Sequence, residues 1–190
     1  ATESSYSVLS LGTYLNNLFT IFYVHRFVGV EAEPDEELRL VKALARSWKV
    51  RLFGVDFGGG RHPNDELIRT FGLNRVHRYQ YSAPQRKVTW DPNLRRWMVN
   101  RAEVMADVFN AIKRNNVLRF PRWEDFSDPY AKDMLNIFSE YNERRRVDEY
   151  KKSPGRTDDT FHSILYCFLA SMIDRPRPDI IAPNKEDRRY

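Results

Sequence analysis

The sequence predicts an α/β domain in which helices pack on a sheet, and two segments carry that prediction. An apolar run at residues 50–55 leads into Asp56, then a turn with three consecutive glycines, then a helical pattern at residues 63–71. Strand, tight turn and helix in this order are typical of layered α/β folds. The most regular amphipathic helix comes late in the chain, where residues 161–172 place apolar side chains at i, i+3, i+4 and i+7.

Composition limits the class of protein. The 190 residues include 42% hydrophobic and 30% charged side chains, which excludes a disordered or low-complexity chain. Cys167 is the one cysteine, so an internal disulfide and a cysteine zinc site are both excluded. No apolar run reaches the roughly 18–20 residues of a membrane span, and we expect an intracellular protein with no membrane partner. The net charge of +5 permits a polyanionic partner.

The start of the chain is predicted to form a hairpin followed by a helix. Residues 6–14 alternate in polarity, Asn16 and Asn17 supply a turn, and residues 18–28 form a second strand. Pro34 begins a helix, because its missing N–H is not needed in the first turn. That helix buries one apolar stripe, formed by Leu38, Val41, Leu44, Ala45 and Trp48.

Strands and helices are expected to alternate through the middle of the chain. Short strands are predicted at residues 76–81, 86–90 and 117–120. Asn100 and Glu103 form a capping-box pattern that begins a helix. Asp128 and Pro129 begin a further helix, which the apolar spacing extends through Phe138.

The last third of the chain is highly charged around its amphipathic helix. Residues 141–152 are predicted to form two half-exposed strands that pair as a basic hairpin. After the helix, residues 174–190 are rich in proline and charge and read as an extended tail. The predicted organisation is therefore one domain at residues 1–173 with a tail at residues 174–190.

Acidic residues stand at the ends of two predicted elements. Asp56 ends a strand beside glycines that let a ligand approach the backbone, and Asp158 and Asp159 begin the long helix. Ligands of open α/β sheets bind at the carboxyl ends of strands, so the first turn of that helix is expected to reach Asp56. Carboxylates collected in this way would bind two Mg²⁺ or Mn²⁺ ions, which suit phosphodiester hydrolysis.

Each of these residues also has an ordinary structural interpretation. An Asp at a helix start is most often an N-cap, which would account for one of Asp158 and Asp159. An Asp that ends a strand is commonly a turn former, and for Asp56 alone the two interpretations carry equal weight. His162 lies three residues after Asp159 on the same helix face. It is a candidate proton shuttle or ligand, although a His bonded to a neighbouring residue is the commoner case.

Two basic stretches are candidate DNA contacts. The first surrounds two tryptophans and contains Arg86, Lys87, Arg95, Arg96 and Arg101. The second leads directly to Asp158 and contains Arg144, Arg145, Arg146, Lys151, Lys152 and Arg156. A charge run is usually a solvated face. The position of the second stretch beside a candidate metal site still favours a DNA backbone there, because phosphate contacts supply most non-specific affinity.

Three short motifs carry a resemblance to a known family: Val55-Asp56-Phe57-Gly58-Gly59-Gly60, Asn100-Arg101-Ala102-Glu103 and Asp158-Asp159-Thr160-Phe161-His162-Ser163. In this order they resemble the nuclease domain of the large terminase subunit of tailed bacteriophages, over roughly residues 5–172. The resemblance implies a ribonuclease-H-like fold, with a mixed central sheet flanked by helices and an additional basic β-hairpin.

The resemblance also implies an activity and assigns residues to it. Members of the family cut concatemeric viral DNA during genome packaging, using two Mg²⁺ or Mn²⁺ ions held by three or four acidic residues. Asp56 matches the second acid, while Asp158 and Asp159 supply the last, with Asp159 favoured as the direct ligand. The family's first acid belongs to an Asp-x-Gly motif on the central strand, before the hairpin. Only residues 1–5 precede the hairpin here, so the chain is expected to lack that strand and that acid.

The partners implied by the resemblance are double-stranded DNA, the portal, the small terminase subunit and an ATPase domain of the same polypeptide, in the host cytoplasm. Two alternatives stay open. One is a non-catalytic ribonuclease-H-like module that binds DNA or a protein, which the absent first acid favours. The other is a junction-resolving nuclease of the same fold, which would prefer branched DNA.

Overall fold

Strands and helices alternate along the chain in the computed structural model, which describes residues 5–58, 61–82, 86–114, 117–144 and 146–174. Gly59 and Gly60 of the glycine turn, Arg145 of the basic hairpin and nearly all of the predicted tail, residues 175–190, lie outside the described residues. Within the described residues the fold is mixed α/β, with helices flanking mixed sheets, as the sequence predicts.

The N-terminal hairpin forms as predicted. Strands β1 (Val8–Leu15) and β2 (Leu18–Arg26) pair antiparallel across a two-residue turn. Asn16 and Asn17 have φ values of 50° and 64°, the left-handed values that tight hairpin turns require and that Asn tolerates. A short strand, β7 (Leu118–Arg119), pairs parallel to β2 and completes a three-stranded sheet in the order β1-β2-β7.

A second sheet has four strands in the order β3-β4-β6-β5. Its strands are β3 (Phe53–Asp56), β4 (Val76–Ser82), β5 (Val88–Asp91) and β6 (Arg96–Asn100). Strands β3, β4 and β6 are parallel, and β5 pairs antiparallel to β6. The sequence does not predict β6, because only Trp97 and Val99 mark its buried face and the segment is too short to show a period.

The helices that flank these sheets begin and end close to the predicted residues. They are α1 (Pro34–Ser47), α2 (Arg61–Phe71) and α3 (Arg101–Lys113), with α6 (Asp159–Asp174) late in the chain. The predicted cap of α3 is present, since Asn100 Oδ1 accepts a hydrogen bond from the Glu103 N–H at 3.4 Å. Among the described helices, none combines the length and apolar character needed to cross a membrane.

The prediction of one helix from Asp128 through Phe138 is wrong in its second half. The chain instead forms α4 (Trp123–Phe126), a wide turn over Ser127–Ala131, and α5 (Lys132–Met134), and then enters a strand. That strand, β8 (Ile137–Asn142), pairs antiparallel with β9 (Val147–Lys152). Pairing with a strand later in the chain overrides the local helical spacing. Of the two strands predicted within residues 141–152, the second is present as β9, whereas the first begins at Ile137, before the predicted segment.

Helix α6 joins the two larger sheets. Its apolar face forms the centre of the main core, where Phe161, Ile164 and Leu165 are fully buried. Toward one sheet, Ser163 Oγ donates to Ser10 Oγ of β1 at 2.8 Å. Toward the other, Gly54 of β3 packs directly against the backbone of α6. A Cβ added at Gly54 would lie only 2.1 Å from the Tyr166 carbonyl oxygen. In the described part of the chain, no strand links β1 to β3, and the two sheets remain separate.

Asp133 in α5 is a buried carboxylate that supports the start of α6. It is 2% exposed and accepts hydrogen bonds from the Thr160 N–H at 2.7 Å and from the Thr157 hydroxyl. The Arg26 guanidinium lies 3.7 Å from it. The charge therefore satisfies one of the free N–H groups in the first turn of α6.

We expect Asp133→Asn to lower the free energy of unfolding by about 2 kcal/mol, because charge-assisted hydrogen bonds to a buried group are lost. Asp128→Asn is the matched control: Asp128 is exposed, pairs with Lys132 on the surface, and should change stability by less than about 0.5 kcal/mol. Urea unfolding of both variants provides the measurement. Equal effects of the two substitutions would contradict the role given to Asp133.

Candidate functional site

Asp56 lies at the carboxyl end of β3 with an exposed side chain. Its Oδ1 accepts the Gly58 N–H at 3.1 Å, which is the turn-forming contact expected of an Asp at a strand end. Its backbone carbonyl accepts a hydrogen bond from Asn64 Nδ2 at 2.9 Å, and Asn64 is itself buried. The strand end is thus fixed from α2, while the carboxylate points away from the core.

Asp159, the first residue of α6, holds the N-terminal segment of the described chain. Its Oδ1 accepts from the Ser5 hydroxyl at 3.0 Å, and its Oδ2 accepts from the Tyr6 N–H at 3.0 Å. Both carboxylate oxygens therefore have protein donors. The sequence interpretation that favours Asp159 as a direct metal ligand requires these contacts to be exchanged for the metal.

Asp158 makes a different set of contacts. Its Oδ2 lies 3.0 Å from His162 Nε2, and its backbone carbonyl accepts the His162 N–H at 3.3 Å. An N-cap side chain would accept a hydrogen bond from the Thr160 N–H, but here Asp133 accepts it instead. Asp158 is consequently paired with His162, which agrees with the interpretation of His162 as a histidine bonded to a neighbouring residue.

Two tyrosines lie near these acids. Tyr81 in β4 places its hydroxyl 2.6 Å from His162 Nδ1. Tyr166 in α6 packs beside it, with the ring centres 6.0 Å apart. Hydrogen bonds thus link Tyr81 through His162 to Asp158, while Asp56 lines the same cavity as Tyr81, His162 and Tyr166. With Tyr81 donating to Nδ1, His162 carries its proton on Nε2 and donates it to Asp158.

Neither tyrosine is among the residues that the sequence interpretation selects. A signal for Tyr166 is present, because it lies four residues after His162 and so shares its helix face. Tyr81 stands near the carboxyl end of its strand, as Asp56 does on the neighbouring strand β3. Tyrosines at buried helix and strand positions are usually core residues, which is why periodicity alone does not separate these two from the others.

Burial and neighbouring charges set the protonation of this chain of residues. Burial raises the pKa of Tyr81 far above its ordinary value, and burial together with Tyr81 and the Asp56 carboxylate does the same for Tyr166. Both hydroxyls therefore remain donors at neutral pH. Burial also acts to raise the pKa of Asp158, but the hydrogen bond and charge of His162, with Lys152 and Arg101, outweigh it and lower that pKa. Asp158 is a carboxylate at neutral pH.

The cations that act on Asp158 come from two elements. Lys152 ends β9 of the basic hairpin, and Arg101 begins α3 with its guanidinium 5.6 Å from the centre of the Tyr81 ring. Farther along the hairpin and its exit loop, the side chains of Arg144, Arg146 and Arg156 are exposed. Lys151 is exposed too, but its Nζ lies 2.5 Å from Glu140 Oε2 across the hairpin. The end of the hairpin strand β9 thus adjoins the acidic site, as the sequence predicts.

Arg95 and Arg96 of the first basic stretch, both candidate DNA contacts, differ in their surroundings. Arg96 is largely buried: its Nε lies 3.2 Å from Asp91 Oδ2, it also donates to Gln80, and its guanidinium stacks 4.7 Å from the Phe57 ring centre. Those contacts assign Arg96 to the packing of the four-stranded sheet. Arg95, in the turn between β5 and β6 with a φ of 48°, is exposed.

The described residues contain no cluster of three or more His, Cys, Asp or Glu side chains arranged to hold a metal ion. Mg²⁺ is often held by only one or two carboxylates, with waters and substrate phosphates completing its shell. The oxygen donors of Asp56 and of Asp158 or Asp159 suit such a hard cation, and Asp56 is the exposed member of the set.

We expect Tyr81→Phe to remove the donor to His162 Nδ1 and to lower the free energy of unfolding by about 1 kcal/mol. The more specific measurement is ¹⁵N NMR of the His162 ring, which should show an unprotonated Nδ1 and a protonated Nε2 in the parent. Loss of the Tyr81 hydroxyl should shift the Nδ1 resonance. Tyr14→Phe, which removes a hydroxyl that lies 3.3 Å from Ser171, is the control and should leave that resonance unchanged.

The acidic site opens on a cavity of about 1470 Å³ between the two sheets. Asp56, Asn64, Tyr81, Asp159 and His162 line its acidic end. No protein-family model matches this chain, and comparison with curated proteins and with solved structures gives no match either.

Proposed function

We propose that this chain is a metal-dependent DNA endonuclease domain of the ribonuclease-H-like class. The observation that carries the proposal is that Asp56, at a strand end, lines the same cavity as Tyr81 and His162, and His162 is bonded to Asp158 just before α6. Carboxylates from separate elements around one cavity, beside the cations Lys152 and Arg101, suit the binding of a metal ion and a phosphodiester.

Asp56 would hold a Mg²⁺ or Mn²⁺ ion, assisted by Asp158 or Asp159. When bound, such ions lower the pKa of a water molecule and neutralise charge on a phosphate. The protein's own residues would fix the carboxylates, since Gly58 orients Asp56 and His162 orients Asp158. Lys152 and Arg101 would attract the phosphate. The finer proposal is cleavage of concatemeric viral DNA by a large terminase subunit, with the portal, the small subunit and an ATPase domain as partners.

DNA binding by the basic hairpin is the first test. We expect the double variant Arg144→Ala/Arg146→Ala to weaken binding of duplex DNA and to reduce the slope of log K against log salt by about 2, roughly one per lost phosphate contact. The matched control is Arg39→Ala/Arg69→Ala, which removes two exposed arginines from α1 and α2. Fluorescence anisotropy at several salt concentrations provides the measurement. Equal slopes for both double variants would contradict this DNA-binding surface.

A second candidate function is a non-catalytic module that binds DNA or a protein. It is favoured by the finding that the described residues bring no three metal-ligating side chains together. Thermal melting with and without millimolar Mn²⁺ separates the two candidates. A ligand that binds the native state must raise the melting temperature. A rise that Asp56→Asn removes supports the endonuclease, whereas an unchanged melting temperature supports the binding module.

A further inference from the structure

Phe57 directly follows Asp56 in the chain, and its half-buried ring lies against two arginines of the four-stranded sheet. The guanidinium carbon of Arg96, in β6, lies 4.7 Å from the ring centre, and that of Arg78, in β4, lies 5.5 Å from it. Both distances are within the roughly 6 Å at which a guanidinium is attracted to the face of an aromatic ring. We call Phe57, Arg78 and Arg96 the aromatic clamp.

The two arginines of the aromatic clamp are themselves fixed to the sheet. Arg78 donates to the backbone carbonyls of Leu94 at 2.9 Å and of Arg95 at 3.0 Å, in the turn between β5 and β6. Arg96 Nε donates to Asp91 Oδ2 at 3.2 Å. The arginine side chains are only 15% and 16% exposed, so most of each cation is covered by protein. The ring therefore rests on a support whose position the sheet determines.

Backbone contacts hold the same turn on either side of the Asp56 side chain. The Phe57 N–H donates to the Tyr79 carbonyl at 2.7 Å, which extends the pairing of β3 with β4 one residue past Asp56. Asn64 Nδ2 donates to the Asp56 carbonyl at 2.9 Å, and the Gly58 N–H donates to Asp56 Oδ1 at 3.1 Å. The ring of Phe57 is the side-chain anchor that follows these contacts.

An anchor at this position matters because the sequence continues with three glycines, at residues 58–60. Glycine has more backbone freedom than any other residue, so the chain beyond Phe57 contributes little stiffness of its own. The Asp56 carboxylate is exposed and lacks tight packing around it. A displacement of about 1 Å in a functional group can slow a reaction on the order of 100-fold. The position of this carboxylate therefore depends on how firmly the residues beside it are held.

We propose that Phe57 is a positioning residue for Asp56: its ring, packed on Arg96 and Arg78, fixes the turn that presents the Asp56 carboxylate to the cavity. The ordering of the turn follows from these contacts alone, whereas its effect on a metal ion rests on the proposed function. The aromatic clamp also gives Arg96, a candidate DNA contact from the sequence, a role inside the protein.

The experiment removes the aromatic face and measures the turn directly. Phe57→Leu keeps an apolar side chain but loses the ring, while Phe57→Tyr keeps the ring. The matched control is Phe71→Leu at the end of α2, since Phe71 is also half-buried and the Arg75 guanidinium carbon lies 5.5 Å from its ring centre. In ¹⁵N relaxation without metal, the Gly58 amide should lose order in Phe57→Leu and should match the parent in the other two variants.

Titration calorimetry with Mn²⁺ is the second measurement. The dissociation constant should rise about fivefold in Phe57→Leu, the scale of one cation–π contact, and Phe57→Tyr should restore it. An unchanged Gly58 amide in Phe57→Leu, or an equal loss of order in Phe71→Leu, would overturn the proposal. A loosened turn with an unchanged dissociation constant would overturn it too. If the parent binds no Mn²⁺, the proposed function fails, and the Gly58 amide alone decides whether the aromatic clamp orders the turn.

Discussion

Replacement of Asp56 by Asn is expected to slow Mn²⁺-dependent cleavage of supercoiled plasmid by a factor on the order of 100 or more, since a metal-held charge contributes several kcal/mol to the transition state. Asp56 is the exposed carboxylate at the carboxyl end of β3, and it lines the same cavity as His162, which is bonded to Asp158. Asn keeps the size of the side chain but removes the charge that attracts a cation. The measurement is the rate of nicking in Mn²⁺, followed on agarose gels.

The choice of Asn separates chemistry from folding. Asn retains an Oδ1 that can accept the Gly58 N–H, and the bond from Asn64 to the backbone carbonyl of residue 56 is untouched. The melting temperature without metal should therefore stay close to that of the parent. Asp35→Asn, in the exposed first turn of α1, is the control for removal of one negative charge. If Asp56→Asn cuts as fast as the parent, the site assignment is wrong.

Local signals in the sequence were enough to predict several elements. Asn16-Asn17 specifies the hairpin turn because Asn tolerates positive φ, and Pro34 fixes the start of α1. The apolar spacing of α6 needs no partner to be recognised. The same applies to Asp56, whose position after a strand and before glycines places it at an exposed strand end.

Features that depend on distant partners were not predicted. Ile137 and Phe138 continue a helical spacing, yet they pair with Lys152 and Lys151 in a hairpin that only the folded chain defines. Asp133 is a buried cap for α6 from 27 positions away in the sequence, so no local motif reveals it. Arg96 reads as a free cation in a basic stretch, but it is held by Asp91, Gln80 and Phe57. Charge patterning reports where cations are, and packing decides which of them remain exposed.

The candidate site also contains some residues that the sequence predicts and others that depend on distant partners. The sequence locates its acids and His162, because these residues stand at predicted element ends. The tyrosines beside them belong to β4 and α6, and their ring contact follows from the way α6 lies across the four-stranded sheet. The close approach of β3 to α6 at Gly54 is part of that packing, and it leads to the second large prediction.

Gly54→Ala is expected to lower the free energy of unfolding by about 3 kcal/mol or more, because overpacking against backbone leaves no flexible side chain to move aside. A Cβ at residue 54 would lie 2.1 Å from the Tyr166 carbonyl oxygen and 2.7 Å from its carbonyl carbon. β3 and α6 would have to separate. For a chain of this size the melting temperature should fall by roughly 10 °C. Thermal and urea unfolding, followed by circular dichroism, measure the change.

Gly58→Ala is the matched control, since it makes the same substitution four residues later. A Cβ at Gly58 would meet only the Asp56 side chain, at 3.6 Å or more, which is an ordinary van der Waals contact. The melting temperature of Gly58→Ala should change by far less than that of Gly54→Ala. Equal stability of the two variants would contradict the close packing of β3 on α6. Because Tyr166 belongs to that same contact, Gly54→Ala should also displace its ring from Tyr81, whose hydroxyl meets His162, so packing at residue 54 and the geometry of the acidic site should be lost together.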